Sequence, residues 1–305
     1  MQKWVLFFSL ILTSAPTYLF PQTKWRENKE QALIIVDLQH DFLAGGSLAI
    51  PGADEAFCRY ICALKNRARR DGLSVIATQD SHPKGHISFA STHQQKPFTT
   101  IISQYTKKTQ QLWPDHCIIG TKGHKIAIPL VKEDIVIQKG VDKNYDSYSG
   151  FADDGGKETK LHEILQKRGI KFLHIVGLAT DYCVYHTALD AIKRGYGVNI
   201  IESGCLGVSK EDSIAALNKL LELGAMITRE PRDEKAKYKV EILDGGDRPI
   251  QSIKALRQVK KGLGLTEALK MVEDAPSVVA ESIPVAEAKA MKELLEAAGA
   301  KVRLS

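Results

Sequence analysis

Two hydrophobic patterns alternate along the chain from residue 31 onward. Short continuous apolar runs are separated by longer segments with the apolar spacing of amphipathic helices. The predicted strands are ALIIVD, LSVIAT, DIVIQK, FLHIVGL, GVNII and AMIT, and the predicted helices cover 53–70, 157–168, 181–194 and 210–223, with a long loop over 79–125. Continuous apolar strands between helices are typical of a parallel sheet covered on both faces. We therefore predict an α/β domain over 31–231, with three α/β/α layers and a mostly parallel sheet.

A second, smaller unit follows this domain. The charged stretch 232–236 reads as a linker. The elements predicted beyond it are a strand KVEIL, helices over 248–260 and 265–274, a strand SVVA, a helix over 284–298 and a strand KVRL. About 70 residues are enough for a small domain of its own. We predict a βααβαβ domain over 237–305.

The first 30 residues form an extension with an apolar centre. Residues 4–20 carry no charge, follow Lys3 and are rich in Val, Leu, Phe and Ile, as in the core of a signal peptide. The run is short for a membrane span, and Pro16 interrupts it. Export or membrane tethering through residues 4–20 is therefore one interpretation, and a dispensable extension or a misassigned start codon is the other.

Composition and charge narrow the class of protein. The chain has 305 residues, of which 44% are hydrophobic and 26% are charged, as in ordinary globular proteins. The net charge of +6 is spread over both halves and no aromatic-basic RNA motif is present, so we predict no nucleic-acid partner. The five cysteines are odd in number and show no CxxC spacing, which favours a reducing compartment, and we predict a cytoplasmic location.

Three polar residues stand at the carboxyl ends of predicted strands. Asp37 closes ALIIVD, Lys139 closes DIVIQK, and Cys183 follows FLHIVGL on the first turn of a predicted helix. Active residues gather at this edge of a parallel sheet, and a helix N-terminus favours a thiolate. Each residue alone has a structural interpretation as a loop cap, a solvated strand end or a small core residue. Together they favour a nucleophilic thiol with a carboxylate base and a cationic partner.

A second group of candidate residues lies in the long loop. Asp80, His82 and His116 offer one carboxylate and two imidazoles, which suits zinc, manganese or iron with coordination positions left for solvent or substrate. His86 and His93 are further candidates. The alternative is that these histidines are ordinary surface residues, but four of them lie between 82 and 116. We predict one divalent metal ion, with zinc preferred.

Several motifs occur in a fixed order between residues 31 and 231. They are ALIIVDLQHDFLAGGSLAIPGADE, TQDSHPKGHISFASTH, LWPDHC, QKG with DSYSGF, and GLATDYCVYHTALDAI. Together they resemble the nicotinamidase branch of the isochorismatase-like cysteine hydrolases. The resemblance implies conversion of nicotinamide to nicotinate and ammonia through a thioester intermediate, and hydrolysis of pyrazinamide as well.

The same resemblance implies roles for individual residues. Asp37 matches the general base, Lys139 its cationic partner and Cys183 the nucleophile, while the backbone N–H groups of Ala179 and Cys183 match the oxyanion hole next to a cis peptide bond at Leu178. The metal ligands implied are Asp80, His82 and His116, with His86 as a conditional ligand, and the residues implied to hold the pyridine ring are Phe42, Trp113 and Tyr148. Two positions depart from the family pattern: Ser81, where an aromatic residue is usual, and His40, where asparagine is common. We expect Ser81 to loosen the pocket wall or alter ligand packing.

The C-terminal unit resembles a different family. IKALRQVKKGLGLTEALKMVEDAP and EAKAMKELLEAAGAKVRL resemble the C-terminal domain of the bacterial ribosomal stalk protein over 237–305. Lys254 and Arg257 match its basic face for translation factors, whereas Thr266 and Leu269 stand where that protein has lysines. We therefore expect a docking module for a protein partner or a stabilising domain rather than factor binding.

Three classes of function remain at this level. The first is a metal-dependent amidase whose small-molecule substrate is nicotinamide. The second is a related hydrolase that acts on isochorismate or a carbamoyl amide, and the metal-ligand pattern argues against it. The third is an interaction protein that uses the C-terminal domain, against which the intact Asp37, Lys139 and Cys183 argue. A homo-oligomer is compatible with each class.

Overall fold

The computed structural model describes residues 29–229 and 237–304, so the segment 4–20 lies outside the described residues. The chain divides into two compact units, Met1–Glu230 and Pro231–Ser305. Among the described residues, the structure has no helix with the length and apolar character needed to cross a membrane.

A six-stranded sheet forms the centre of the first unit. Its strands are β1 (Gln31–Val36), β2 (Ser74–Asp80), β5 (Ile135–Lys139), β6 (Phe172–Leu178), β7 (Gly197–Leu206) and β8 (Met226–Thr228), while β3 (Thr100–Ile102) and β4 (Thr109–Gln111) form a separate antiparallel hairpin. The spatial order is β5-β2-β1-β6-β7-β8, and every neighbouring pair in this sheet is parallel. The predicted α/β class with a mostly parallel sheet is confirmed.

Helices cover both faces of this sheet, because alternate strand residues point to opposite sides. The helices are α1 (Glu55–Arg70), α2 (Leu161–Lys167), α3 (Tyr185–Lys193) and α4 (Lys210–Glu222). On one face Leu33 and Ile35 pack in a cluster with Phe57 and Ile61 of α1. On the other face a cluster joins Ala32, Ile34 and Val36 to residues of α2, α3 and α4. These are the three predicted layers.

Several local features differ from the sequence-based expectation; for example, α2 begins at Leu161 rather than at residue 157, and β7 extends to Leu206, beyond GVNII. The helix expected over 181–194 begins with a π-helical turn, Thr180–Val184, and α3 starts only at Tyr185. The expected loop over 79–125 contains the β3–β4 hairpin and a short 3-10 turn at Ser91–His93. Local backbone bonds close the π-helical start: Ala179 O accepts hydrogen bonds from Tyr182 N (3.1 Å) and Val184 N (3.0 Å), and the second of these closes the wider turn.

The second unit is a small sheet covered by helices. Its elements are β9 (Lys237–Asp244), α5 (Pro249–Val259), α6 (Leu265–Glu273), β10 (Ser277–Pro284), α7 (Val285–Ala297) and β11 (Lys301–Leu304). The strand order is β10-β9-β11, and both pairings are antiparallel. Val240 and Ile242 of β9 pack with Leu256 and Leu295 in its core. This is the predicted βααβαβ order.

Candidate active site

Four adjacent strands bring the candidate catalytic residues to one edge of the sheet. Lys139 ends β5, Asp80 ends β2, Asp37 directly follows β1, and Cys183 lies in the turn after β6. Asp80 and Lys139 are also partners in the strand register. Because the strands are parallel, their carboxyl ends meet on the same side, where active sites of such sheets form. The fold therefore places residues that are more than 40 positions apart in one cluster.

Lys139 is the centre of this cluster. Its Nζ atom lies 2.9 Å from Asp37 Oδ2, 2.5 Å from Asp80 Oδ1 and 3.4 Å from Cys183 Sγ, and it donates to Ser147 O at 2.7 Å. The lysine is 1% exposed. Burial lowers the pKa of Lys139, but the Asp37 and Asp80 carboxylates outweigh this effect and hold the pKa well above its usual value. The ammonium group is therefore charged and neutralises two buried carboxylates.

The Asp37 carboxylate has one oxygen bonded to Thr78 and one oxygen in an ion pair with Lys139. Thr78 Oγ1 donates to Oδ1 at 2.6 Å and accepts from the Asp37 N–H at 3.1 Å, which anchors the residue in its left-handed conformation (φ 45°). Oδ2 contacts Lys139 but accepts no aligned hydrogen bond from any residue that the structure describes. A carboxylate oxygen of Asp37 lies within 4.8 Å of the sulfur of Cys183. The Asp37 carboxylate is thus close enough to the thiol to be a candidate base for it.

Cys183 differs from the expectation of a helix-stabilised thiolate. Burial raises the pKa of the Cys183 thiol well above its usual value, the nearby Lys139 ammonium lowers it, and the Asp37 and Asp80 carboxylates raise it further. Burial also raises the pKa of Asp37, against the lowering effect of Lys139. The thiol is therefore protonated at neutral pH, so the sulfur needs a neighbouring base before it can attack.

Asp80, His82 and His116 form a second cluster beside the first. Their ligand atoms lie within 4.8 Å of one another, and all three residues are buried. His82 Nδ1 is 3.0 Å from Gly140 O, and His116 Nδ1 is 2.8 Å from Pro114 O. When each Nδ1–H donates to its carbonyl, each Nε2 keeps a lone pair for a metal ion. Burial lowers the pKa of His116 to about 4, so this imidazole is neutral at physiological pH.

These donors fit one divalent cation. Burial lowers the pKa of His82, but the Asp80 carboxylate outweighs burial and leaves that pKa raised, so the cluster favours positive charge. An added side chain at Gly140 (φ 64°) would overlap the His82 ring, which explains a glycine after Lys139. Asp37, Asp80 and Cys183 also lie within 4.8 Å of one another, but the Lys139 ammonium already contacts all three. Of the two groups, the Asp80, His82 and His116 cluster is therefore the better candidate for a metal site.

The other two candidate histidines are bonded to protein groups. His86 Nδ1 lies 2.8 Å from Ser88 Oγ, and its Nε2 lies 3.1 Å from Tyr145 O. The His86 ring stacks on His82 at a centroid distance of 4.1 Å. His93 Nε2 lies 2.7 Å from Ile87 O. Since both ring nitrogens of His86 have partners, it supports His82 by stacking without offering a lone pair to the metal.

A narrow pocket with aromatic walls opens onto both clusters. The three predicted ring-binding residues line it: Trp113 Nε1 donates to Tyr148 Oη at 3.0 Å, and Phe42 lies 5.6 Å from His116, measured between ring centroids. Ala179 and Cys183 also line the pocket, and the peptide bond between Leu178 and Ala179 is cis. The free volume is about 30 Å³, which is room for only one or two water molecules.

The structure adds residues that the sequence patterns did not identify. Thr78 binds Asp37, and Gln39 binds the Asp80 backbone. Tyr182 and Asp146 line the pocket, and Tyr182 packs edge-on against the Trp113 ring at 4.8 Å. Period-2 alternation along β2 puts Thr78 on the same face as Asp80, and that signal could have identified it.

Ser81 and His40 leave the pocket lining unchanged. Ser81 is fully buried, lies outside the pocket lining, and its Oγ is 2.8 Å from His124 Nε2. His40 N donates to Lys125 O at 3.1 Å. Ser81 is not among the residues that line the pocket, and its effect on the pocket wall or on ligand packing stays a prediction.

Comparisons with known proteins identify both units. Residues 31–231 match the isochorismatase domain family, and residues 238–305 match the ribosomal protein L7/L12 C-terminal domain. A nicotinamidase from Escherichia coli is 42% identical over 205 residues, which cover 65% of this chain and 93% of that protein. A large ribosomal subunit protein bL12 from Akkermansia muciniphila is 47% identical over 70 residues, or 23% of this chain and 56% of that protein.

Solved structures agree with the sequence matches. The Acinetobacter baumanii nicotinamidase pyrazinamidease has a TM-score of 0.62 and 35% identity, and the match covers 67% of this chain and 98% of that one. The pyrazinamidase of Pyrococcus horikoshii in complex with zinc has a TM-score of 0.55 and 32% identity, over 66% and 99% of the two chains. The chain belongs to the isochorismatase family and carries a C-terminal domain of the ribosomal L7/L12 type.

Proposed function

We propose that the protein is a nicotinamidase, a metal-dependent cysteine amidohydrolase that converts nicotinamide to nicotinate and ammonia and also hydrolyses pyrazinamide. One observation carries the proposal: a buried lysine contacts both a carboxylate and a thiol, beside an aromatic pocket and a cluster of candidate metal ligands. The relatives from Escherichia coli and Mycobacterium tuberculosis, named nicotinamidase and nicotinamidase/pyrazinamidase, support the substrate.

The first step is proton transfer from the thiol. Asp37 Oδ2 accepts the proton of Cys183, since that oxygen accepts no aligned hydrogen bond among the described residues. Lys139 touches both partners, so it stabilises the thiolate as negative charge moves from oxygen to sulfur. Thr78 holds Oδ1 and keeps the carboxylate directed while this happens.

The carbon–nitrogen bond is cleaved in the second step. The thiolate of Cys183 attacks the carboxamide carbon, and the backbone N–H groups of Ala179 and Cys183 bind the resulting oxyanion. One such donor is worth about 2.7–4 kcal/mol of barrier in other acyl-transfer enzymes. Asp37 returns its proton to the departing nitrogen, which leaves as ammonia and gives a thioester. A water molecule, deprotonated by Asp37, then hydrolyses the thioester to nicotinate and restores the thiol.

Asp80, His82 and His116 would hold the metal, and we propose zinc. One carboxylate and two imidazoles with open positions suit zinc, and the Pyrococcus horikoshii relative is a zinc complex. The bound ion supplies a positively charged anchor for the ring nitrogen of the substrate. Phe42, Trp113 and Tyr148 then fix the ring plane, so the carboxamide faces Cys183.

The C-terminal unit is proposed to bind a protein partner or to stabilise the chain. Its L7/L12 resemblance supports a docking role, and Thr266 and Leu269 argue against the translation-factor contact.

The five free cysteines are consistent with the cytoplasmic location predicted from sequence. A related hydrolase of another substrate is the weaker alternative, since a substrate without a ring nitrogen gives the metal cluster no role.

Ammonia release from nicotinamide, with and without a chelator, tests the proposal together with metal analysis of the purified protein. We expect release that stops in chelator and returns with zinc. Cys183→Ala should abolish turnover while the fold and metal content stay intact, and Cys58→Ala, a free cysteine on α1, should behave as wild type. Substantial amidase activity in Cys183→Ala would refute the nucleophile assignment.

A further inference from the structure

Strand β1 ends before it reaches the level of Asp80, so the Asp80 backbone has no strand neighbour on the β1 side of β2. The β1–β2 ladder stops at Ile35 and Ala77, three positions before Asp80. The chain then turns at Asp37 (φ 45°), and the Asp37 N–H bonds to Thr78 Oγ1 instead of to a strand carbonyl. A peptide buried at this point needs partners for both its N–H and its C=O groups.

The side chain of Gln39 supplies both partners. Asp80 N donates to Gln39 Oε1 at 2.8 Å, and Gln39 Nε2 donates to Asp80 O at 2.8 Å. The second Nε2 proton goes to His124 O at 2.9 Å. Gln39 has 0% exposure, so water does not compete for these bonds. The amide group occupies the place of the next β1 residue and extends the ladder by one step.

We propose that Gln39 is a positioning residue that fixes the direction of the Asp80 carboxylate before metal binds. Asp80 serves two neighbours at once, since its Oδ1 lies 2.5 Å from Lys139 Nζ and its carboxylate also belongs to the cluster with His82 and His116. A rotation of the Asp80 peptide would disturb both contacts. The inference rests on the proposed function, because it assigns Gln39 to the metal site of that enzyme.

A purely structural role for Gln39 predicts something different. The same carbonyl, His124 O, also accepts from Gln79 Nε2 at 2.8 Å, and Gln79 makes no side-chain bond to Asp80. If Gln39 served only to satisfy this loop carbonyl, removing either amide would have the same effect. Gln79→Met is therefore a matched control for Gln39→Met.

The test compares wild type, Gln39→Met and Gln79→Met in the full chain. The zinc dissociation constant is measured by competition with a chromophoric chelator, and kcat and KM for nicotinamide are measured at saturating zinc. Loss of a residue that orients a metal ligand typically weakens metal binding by about 10–100-fold, and we expect this loss for Gln39→Met with a fall in kcat. For Gln79→Met we expect the zinc dissociation constant and kcat to stay within about threefold of wild type, because Asp80 keeps its hydrogen bonds to Gln39.

Each outcome bears on the inference. Equal zinc affinities for the two Met variants, or a loss of thermal stability in Gln39→Met without a change in zinc affinity, would overturn it. If Gln39→Met does not fold, Gln39→Asn replaces it, because this shorter amide stays polar but cannot hold both Asp80 groups. A wild type that binds no zinc overturns the proposed function and this inference together. If the wild type binds zinc and releases ammonia, and Gln39→Met has the same zinc affinity and kcat, only the inference is overturned.

Discussion

Removal of the Lys139 ammonium, as in Lys139→Met, is the most informative perturbation of the site. Methionine keeps an unbranched apolar side chain, one atom shorter than lysine, but two buried carboxylates, Asp37 and Asp80, lose the cation at 2.9 and 2.5 Å. At an effective dielectric constant near 20, each contact is worth about 6 kcal/mol before the cost of burying the charges. Breaking a buried ion pair on one side costs about 3–5 kcal/mol net, and we expect a loss of this size at pH 7, together with loss of activity.

The assay is urea unfolding of metal-free wild type, Lys139→Met and Lys65→Met. Lys65 is a matched control, because it is also buried (2% exposed) but donates to a backbone carbonyl, Pro129 O, rather than to a carboxylate. Removing such a hydrogen bond costs about 1–3 kcal/mol and leaves no unpaired charge.

The pH dependence separates the two lysine variants. Without Lys139, burial and the repulsion between Asp37 and Asp80 raise the pKa values of both carboxyls in the folded protein above those in the unfolded chain. The free energy of unfolding of Lys139→Met therefore falls as pH rises through these folded-state pKa values. The deficit of Lys139→Met should therefore shrink as pH falls from 7 toward 4, whereas the deficit of Lys65→Met should stay constant. A deficit for Lys139→Met that equals that of Lys65→Met at pH 7, or that does not change with pH, would refute the charge-pairing argument.

Three further outcomes are expected at the metal site and the pocket. His116→Ala should strip the metal, as measured by metal analysis after dialysis, and should raise KM for nicotinamide. Zinc binding in mildly acidic buffer should release protons, since Asp80 holds the pKa of His82 above its usual value and the metal must displace the imidazole proton. Calorimetry in two buffers of different ionisation enthalpy measures this release, and its absence would contradict the pKa direction. Trp113→Phe removes the 3.0 Å hydrogen bond to Tyr148 Oη and should raise KM more than it lowers kcat; an unchanged KM would remove Trp113 from ring binding.

Much of the fold follows from apolar periodicity. The runs ALIIVD and FLHIVGL correspond to β1 and β6 because a strand buried on both faces needs apolar residues at every position. The polar residues that interrupt this rule at strand ends, Asp37 and Lys139, were visible for the same reason. The π-helical start at Thr180–Val184 was not visible, because its apolar spacing over a few residues does not differ from that of an α-helix.

Residues that act through a buried hydrogen bond were hidden in the sequence. Thr78 reads as an ordinary β-branched strand residue, and Gln39 as a polar loop residue. Their roles depend on partners about 40 positions away, Asp37 and Asp80, which only the strand order β2-β1 brings within 3 Å. Period-2 alternation places Thr78 on the same face as Asp80, but no local pattern identifies the partner that either side chain binds.

The sequence alone determined which groups are present at the sheet edge: a thiol, two carboxylates, an ammonium and two imidazoles, each at the end of a strand or in the loop beside it. Only the tertiary structure decided their protonation and their partners. Burial raises the pKa of the Cys183 thiol, although a helix N-terminus favours a thiolate, and Lys139 pairs with Asp37 beside it. The reason is physical, since desolvation depends on everything packed around a group, whereas periodicity and motif spacing describe only the chain on either side of it.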